Sequence, residues 1–179
     1  MSAASVDLTV ALLRLPDRSM LLASVYMEGG NTAALSGTMR LLDDAISTVQ
    51  RRGGPRLDVV VAGDFNRHDQ LWGGDGVLPT RQGEADPIID LMNRWQFESL
   101  LPRGTKTWQN AMHATTIDLV LASQELASDV LKCQIHHTEH GLDHHAIETS
   151  FDIHVPDHVI QPRLLLKNAP WNAIRECIA

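Results

Sequence analysis

The chain has 179 residues, 44% of them hydrophobic and 21% charged, which suits one domain with a real core and excludes wholesale disorder. Its formal net charge of −7 excludes a protein that coats nucleic acid by bulk charge; a nuclease that meets its substrate through a local basic patch or bound cations remains open. Two distant cysteines, Cys133 and Cys177, suggest no disulfide framework, no apolar run is long enough to span a membrane, and the first residues lack a signal-peptide pattern. An intracellular, membrane-free protein is expected.

In chain order, Val6 to Leu15 and Met20 to Tyr26 are apolar runs separated by the turn residues Pro16 to Ser19, which predicts an antiparallel hairpin. Leu35, Met39, Leu42, Ala45, Ile46 and Val49 recur at helical spacing, predicting a helix over Ala33 to Arg52 capped by Asn31 or Thr32. Leu57 to Ala62 reads as a buried central strand. A long loop is expected over residues 67–83 and a second helix over Pro87 to Trp95. Thr105 to Trp108, Thr116 to Ala122, Val130 to His137 and His145 to Val155 are expected strands, with a helical turn at Gln124 to Ala127. The irregular alternation favours stacked sheets with flanking helices over a regular doubly wound sheet. Residues 1–155 are taken as the domain and 156–179 as a tail.

Three segments place polar groups at strand ends. In Gly63-Asp64-Phe65-Asn66, an extended chain would point Asp64 and Asn66 to the same side, where carboxylate and amide could hold a water and a phosphate oxygen. An ordinary turn explains the same residues. In Thr116-Ile117-Asp118-Leu119-Val120-Leu121, a carboxylate in an apolar strand needs a partner, either catalytic or structural. In Leu142-Asp143-His144-His145, an acid–imidazole pair precedes a strand, unless it is a polar turn.

Taken in order, these segments resemble the endonuclease/exonuclease/phosphatase superfamily. The run Ala62 to Gly73, with Thr107-Trp108 and Ile117-Asp118-Leu119-Val120, is most similar to the endonuclease domain of LINE-type non-LTR retrotransposons. The resemblance implies an α/β (α+β) fold of two stacked, mainly antiparallel sheets flanked by helices, a four-layer αββα sandwich missing its first strands. It implies a divalent-metal-dependent phosphodiesterase that nicks DNA, using Mg2+ or Mn2+. By the family's mechanism, Asp64 orients or deprotonates the attacking water, and Asn66 holds the water or a phosphate oxygen. His144 contacts the scissile phosphate, Asp118 orients His144, and Tyr26 contacts the phosphate. Asp143, with Asp64 and Asn66, would position the metal. DNA would be a transient substrate, the location nuclear, and a reverse transcriptase would lie downstream, the tail from Leu164 to Trp171 resembling the connector to it.

The family's domain opens with an Asn-bearing strand and a strand carrying a metal-binding Glu, and residues 1–25 offer neither. Leu142 stands where the family usually has Ser. A truncated enzyme with weakened or no activity is therefore expected. The alternatives are a non-catalytic relic that dimerises through its exposed sheet, and a lipid or inositol phosphate phosphodiesterase of the same superfamily. A zinc site at His136, His137, His140, His144 and His145 is disfavoured, because His136 and His137 would face opposite sides of a strand and no cysteine pair accompanies them. In the loop after Asn66, Trp72 would stack on a base or simply cover the loop, and His68 would brace the loop.

Overall fold

The computed structural model describes residues 7–54, 56–138, 141–154, 170–171 and 175–176. Strands β1 (Leu8–Arg14) and β2 (Arg18–Tyr26) form the expected hairpin, closed by Leu15 N–H donating to Arg18 O at 2.8 Å. Helix α1 (Thr32–Arg51) follows. Asn31 is the cap, its side chain accepting from Ala34 N at 3.0 Å. Leu35, Met39, Leu42 and Ile46 lie on the buried stripe of α1, as the periodicity predicts.

Strand β3 (Arg56–Asp64) enters parallel to β2, which α1 makes possible by carrying the chain back across the sheet. After α2 (Gln70–Gly73), a 3-10 turn (Pro79–Arg81) and α3 (Asp86–Trp95), the short β4 (Phe97–Ser99) takes the edge. The hairpin β5 (Trp108–Gln109) and β6 (Ala114–Thr115) stands apart from the main sheet. Strand β7 (Asp118–Ser123) then inserts between β3 and β4. The five-stranded order is β1-β2-β3-β7-β4, antiparallel except for β2–β3. Helix α4 (Gln124–Ala127) leads to β8 (Val130–Ile135) and β9 (Ile147–Phe151), an antiparallel pair.

The expected mixed α/β arrangement of sheets and helices is present. One face of the main sheet, through Leu21, Ala23, Val25, Val59, Val61, Leu119 and Leu121, packs against α1 and α3 in the larger core. The opposite face carries a smaller core in which Met20, Ala122 and Leu126 meet Phe151 of β9. That second layer covers only part of the face, so Leu13 and Leu22 stay 43% and 39% exposed. At its closed end Asp58 is fully buried and accepts from Arg18 Nη1 at 3.2 Å and Arg56 Nε at 2.7 Å, with Asp129 joining the network.

Several expectations need correction. Residues 67–83 are not one long loop: Asp69 caps a turn of helix by accepting from Leu71 N at 2.8 Å, and Trp72 is sealed beneath it. A buried aromatic outweighed the polar, glycine-rich composition. His136 and His137 do not face opposite sides of a strand. β8 ends at Ile135, and their rings lie 4.4 Å apart between centroids. Thr105 to Thr107 lie before β5, and β4 has no counterpart in the predicted elements because three residues carry too little periodicity. His140 and Glu139 of the zinc reading, and nearly all of the predicted connector Leu164 to Trp171, lie outside the described residues. Among the described residues no helix is long and apolar enough to cross a membrane.

Candidate active site

The site is built on a row of strand ends. In the β2–β3 register Tyr26 lies beside Asp64, and in the β3–β7 register Asp64 lies beside Asp118. Neighbouring positions across a sheet share a face, so the three side chains line one edge of the incompletely covered face.

Gly63 makes this row possible. Its φ is +146°, and a Cβ there would sit 1.9 Å from Val25 O. No other residue lets β3 approach β2 so closely one position before Asp64. The chain then leaves the sheet: Met27 N–H donates to Asp64 O at 2.8 Å and Phe65 N–H to Ile117 O at 3.0 Å, with the Phe65 ring fully buried.

Asn66 does not continue an extended strand. Its φ is +48°, and its N–H donates to Asp64 Oδ1 at 2.9 Å. Asp64 and Asn66 are thus joined by an Asx turn and not by strand alternation. The Asn66 amide lies against Gly29, whose added Cβ would be 3.5 Å from Nδ2. Arg67, 3% exposed, secures this turn by donating to Asn66 O at 2.8 Å, Asn31 O at 2.9 Å and Glu28 O at 3.3 Å.

A second scaffold delivers the histidine. The segment 143–145 lies against the β5 edge: Gln109 N–H donates to Asp143 O at 2.8 Å, His145 N–H donates to Thr107 O at 2.8 Å, and Trp108 forms a bridge with His144. Trp108 Nε1 donates to Asp143 Oδ2 at 2.9 Å. Thr107, fully buried, receives Ile117 N–H at 3.1 Å and Asp118 N–H at 3.0 Å on its hydroxyl. One three-residue stretch therefore holds both the start of β7 and the histidine segment.

The result is a tight pair. His144 Nδ1 lies 3.1 Å from each oxygen of the Asp118 carboxylate. A carboxylate only accepts, so Nδ1 carries the proton and Nε2 is left to face outward chemistry. Asp64, Asp118 and His144 each offer a ligand atom, all within 4.8 Å of one another. Burial, and then the neighbouring charge of Asp118, raise the Asp64 pKa above the ordinary carboxylate value, although His144 opposes the shift. Two converging carboxylates beside an imidazole make an oxygen-rich cluster suited to a hard divalent cation.

Asp143 lies outside that cluster. Its exposed carboxylate is held by Trp108, which sets its pKa below the usual range. Tyr26 is 59% exposed at the end of the row. Glu28 accepts from Asn31 Nδ2 at 3.3 Å and is not part of the cluster. Trp72 is 2% exposed and donates from Nε1 to Arg67 O at 3.2 Å, which rules out base stacking. His68 does brace its loop, with Nδ1 3.1 Å from Arg81 Nη1. Burial and the Arg81 charge lower its pKa. Of the residues that hold the site, Arg67, Thr107 and Trp108 were visible only as parts of motifs, with no role read for them.

Three solved structures similar to this fold are distant in sequence. The endonuclease domain of TRAS1, a telomere-specific non-LTR retrotransposon, matches with TM-score 0.64 at 16% identity, over 82% of this chain and 64% of that one. The 3′ phosphatase NExo from Neisseria, bound to a product DNA hairpin, matches with TM-score 0.58 at 15% identity, over 80% and 65%. An AP endonuclease from Archaeoglobus fulgidus matches with TM-score 0.52 at 13% identity, over 75% and 62%. The chain thus spans less than two thirds of the length of each of these three. No curated protein matched. The family model described as endonuclease-reverse transcriptase matches residues 20–148, from β2 to β9, and the chain belongs to that family, within the endonuclease/exonuclease/phosphatase superfamily.

Proposed function

We propose that the chain is the catalytic part of a divalent-metal-dependent DNA-nicking endonuclease of retrotransposon type, acting in the nucleus. The observation that carries this reading is the Asp118-oriented His144 set against a carboxylate, Asp64, whose pKa is raised. A phosphodiester is anionic and resists attack by water, so its hydrolysis needs a positioned base and donors for the charge that develops. Asp64 accepts the proton of the attacking water. Asn66, locked to Asp64 by the Asx turn, presents its amide to the water or to a phosphate oxygen. His144, acting as the imidazolium with both ring nitrogens protonated, donates from Nε2 to the phosphate while Asp118 holds Nδ1–H, and the Tyr26 hydroxyl reaches the same phosphate from the end of the row.

The donor set fits Mg2+ or Mn2+. Asp64 belongs both to the set implied by the resemblance, with Asn66 and Asp143, and to the geometric cluster with Asp118 and His144. Bound there, the cation would neutralise phosphate charge and polarise the phosphoryl oxygen. Among the described residues no glutamate joins the cluster, so weak metal affinity and slow turnover are proposed. A reverse transcriptase domain downstream is part of the same proposal.

Nicking of supercoiled plasmid with Mg2+ or Mn2+ tests the reading. Slow nicking that disappears in His144→Ala supports it. Absence of nicking with either metal overturns it, and turnover at ordinary nuclease rates overturns the claim of impairment alone. A second reading, a dimerising domain without catalysis, draws on the exposed Leu13 and Leu22 of the sheet. A stable dimer by light scattering, together with failure to bind metal or DNA, favours it. A lipid or inositol phosphate substrate would use the same chemistry, and hydrolysis of those esters in place of DNA would show it.

A further inference from the structure

The layer over the second face of the main sheet is unfinished along one edge. On that face Val120 and Ala122 of β7 are buried, Val60 and Ala62 of β3 are half-buried, and Leu22 and Ser24 of β2 are exposed. The cover therefore reaches β7 and β3 and stops short of β2 and β1. The strand that meets the open half is β9: Phe151 packs with Met20 of β2 in the smaller core, and no β8 residue joins that core among the described residues. Leu13 lies opposite Met20 in the β1–β2 register and Leu22 lies two residues along β2, so the two form an exposed apolar floor on the same face.

The β9 backbone also has an unused side. His136 N–H donates to Ala146 O at 2.8 Å, and Asp152 N–H donates to Asp129 O at 2.7 Å. In an antiparallel ladder, positions bonded to the neighbour alternate with positions turned the other way. Ala146 and Asp152 flank β9, so Glu148 and Ser150 between them also bond to β8, while Ile147, Thr149 and Phe151 turn N–H and C=O away from it. Among the described residues no strand pairs with β9 on that side. A row of unpaired backbone groups is a template for a further strand, and a two-stranded pair is only marginally stable alone. The solvent side of this edge is acidic. Glu148 is met by Lys132 at 2.7 Å, but Asp152 is exposed and makes no ion pair among the described residues.

We propose that the free edge of β9 binds an extended peptide of a separate protein as an added antiparallel strand, with alternate apolar side chains over Leu13 and Leu22 and basic side chains on the solvent side. Backbone bonds to Ile147, Thr149 and Phe151 supply affinity, and the apolar floor and the acidic side chains supply selection. A second copy of the chain does not suit this edge. A two-fold axis that pairs β9 with its copy puts both main sheets on the same side of the joined strands. Each main sheet already extends past its own β9, so the two collide, whereas a peptide brings no second layer. The proposal does not rest on the nuclease reading.

The test uses the full chain and fluorescein-labelled peptides of about seven residues that alternate valine with lysine, with binding followed by anisotropy. In the antiparallel pair the floor-facing valines lie opposite Ile147, Thr149 and Phe151, so valine N–H groups point to β9 and lysine N–H groups point away. Backbone N-methylation at the valines should weaken binding at least about tenfold, and N-methylation at the lysines should change it by less than about twofold. Exchanging lysine for glutamate in the peptide should weaken binding about tenfold at low salt. Leu22→Ser should weaken it about tenfold through the floor, and the peptide series carries the test by itself should Leu22→Ser unfold the chain. Equal binding of the valine-methylated peptide overturns the proposal. So does failure of the unmodified peptide to bind at about 1 mM, including the case in which light scattering shows a second copy already holding the edge.

Discussion

Replacing Thr107 with valine removes one oxygen and keeps nearly the same shape. Thr107 is fully buried, and that oxygen accepts the N–H groups of Ile117 at 3.1 Å and Asp118 at 3.0 Å. Valine leaves both donors without a partner in a space too full for water. A buried orphan donor costs about 1–3 kcal/mol. Ile117 is 6% exposed, while the Asp118 side chain is 14% exposed and its amide is closer to solvent. The second donor belongs at the lower end of that range, so the sum is about 2–4 kcal/mol. Against the typical stability of about 5–15 kcal/mol that is a large fraction. Thr107→Ser keeps the acceptor and loses only a methyl group, about 1 kcal/mol. Urea unfolding should show a lower midpoint for valine than for serine, with similar slopes. Nicking should show a fall in kcat for valine, because Asp118 loses its anchor. A valine midpoint equal to or above that of serine would refute the hydroxyl's role as the joint of the site.

Other perturbations reach different parts of the molecule. Asp118→Asn keeps the shape but removes the charge that fixes the His144 ring, and should lower kcat by at least about 10²-fold, measured by nicking at saturating DNA. The raised pKa of Asp64 means that its folded form holds a proton more tightly than the unfolded chain. Its contribution therefore favours the folded state at low pH and is lost as pH rises through the folded pKa. Asp64→Asn should then raise the thermal midpoint at neutral pH, lose that advantage as pH falls toward the ordinary carboxylate range, and abolish nicking; an equal or lower midpoint at neutral pH would count against the shift. Asp58→Ala removes a fully buried carboxylate from Arg18 and Arg56, which are partly exposed and keep Asp129, and should cost about 1–3 kcal/mol by urea unfolding without changing metal dependence. Gly63→Ala drives a methyl group into Val25 O and should prevent soluble folding, read by expression and circular dichroism.

Much of the fold was legible because period and punctuation agree there. The hairpin, α1, α3 and the central β3 each pair a clear apolar rhythm with a turn or cap. The misses occur where few residues carry an element. β4 is held by pairing with β7 over three positions, and α2 by one buried tryptophan and one capping aspartate. Neither leaves a periodic trace. In the candidate site, Asp64, Asp118 and His144 stand out in the sequence as acids and an imidazole at the ends of apolar runs, and the structure brings their ligand atoms within 4.8 Å of one another. Asp143 was found too, but its carboxylate is turned to Trp108, an orientation set by a hairpin formed far from it in sequence.

The division between what could and could not be read has a physical origin. Groups that act on a substrate must be ionisable or polar, and such groups are conspicuous against an apolar background. Groups that place them work through backbone amides and carbonyls, which every residue has. Thr107 contributes one hydroxyl and one carbonyl, and with them fixes Asp118 from one side and the His144 segment from the other. Arg67 donates its guanidinium N–H groups to three backbone carbonyls. Gly63 contributes only the absence of a side chain. These three residues convert scattered motifs into a row of strand ends at hydrogen-bond precision. Their loss should therefore act through stability and kcat together. That joint pattern separates residues that build the site, such as Thr107, from a polar residue such as Asp118, whose replacement by asparagine keeps the shape and should act on kcat alone.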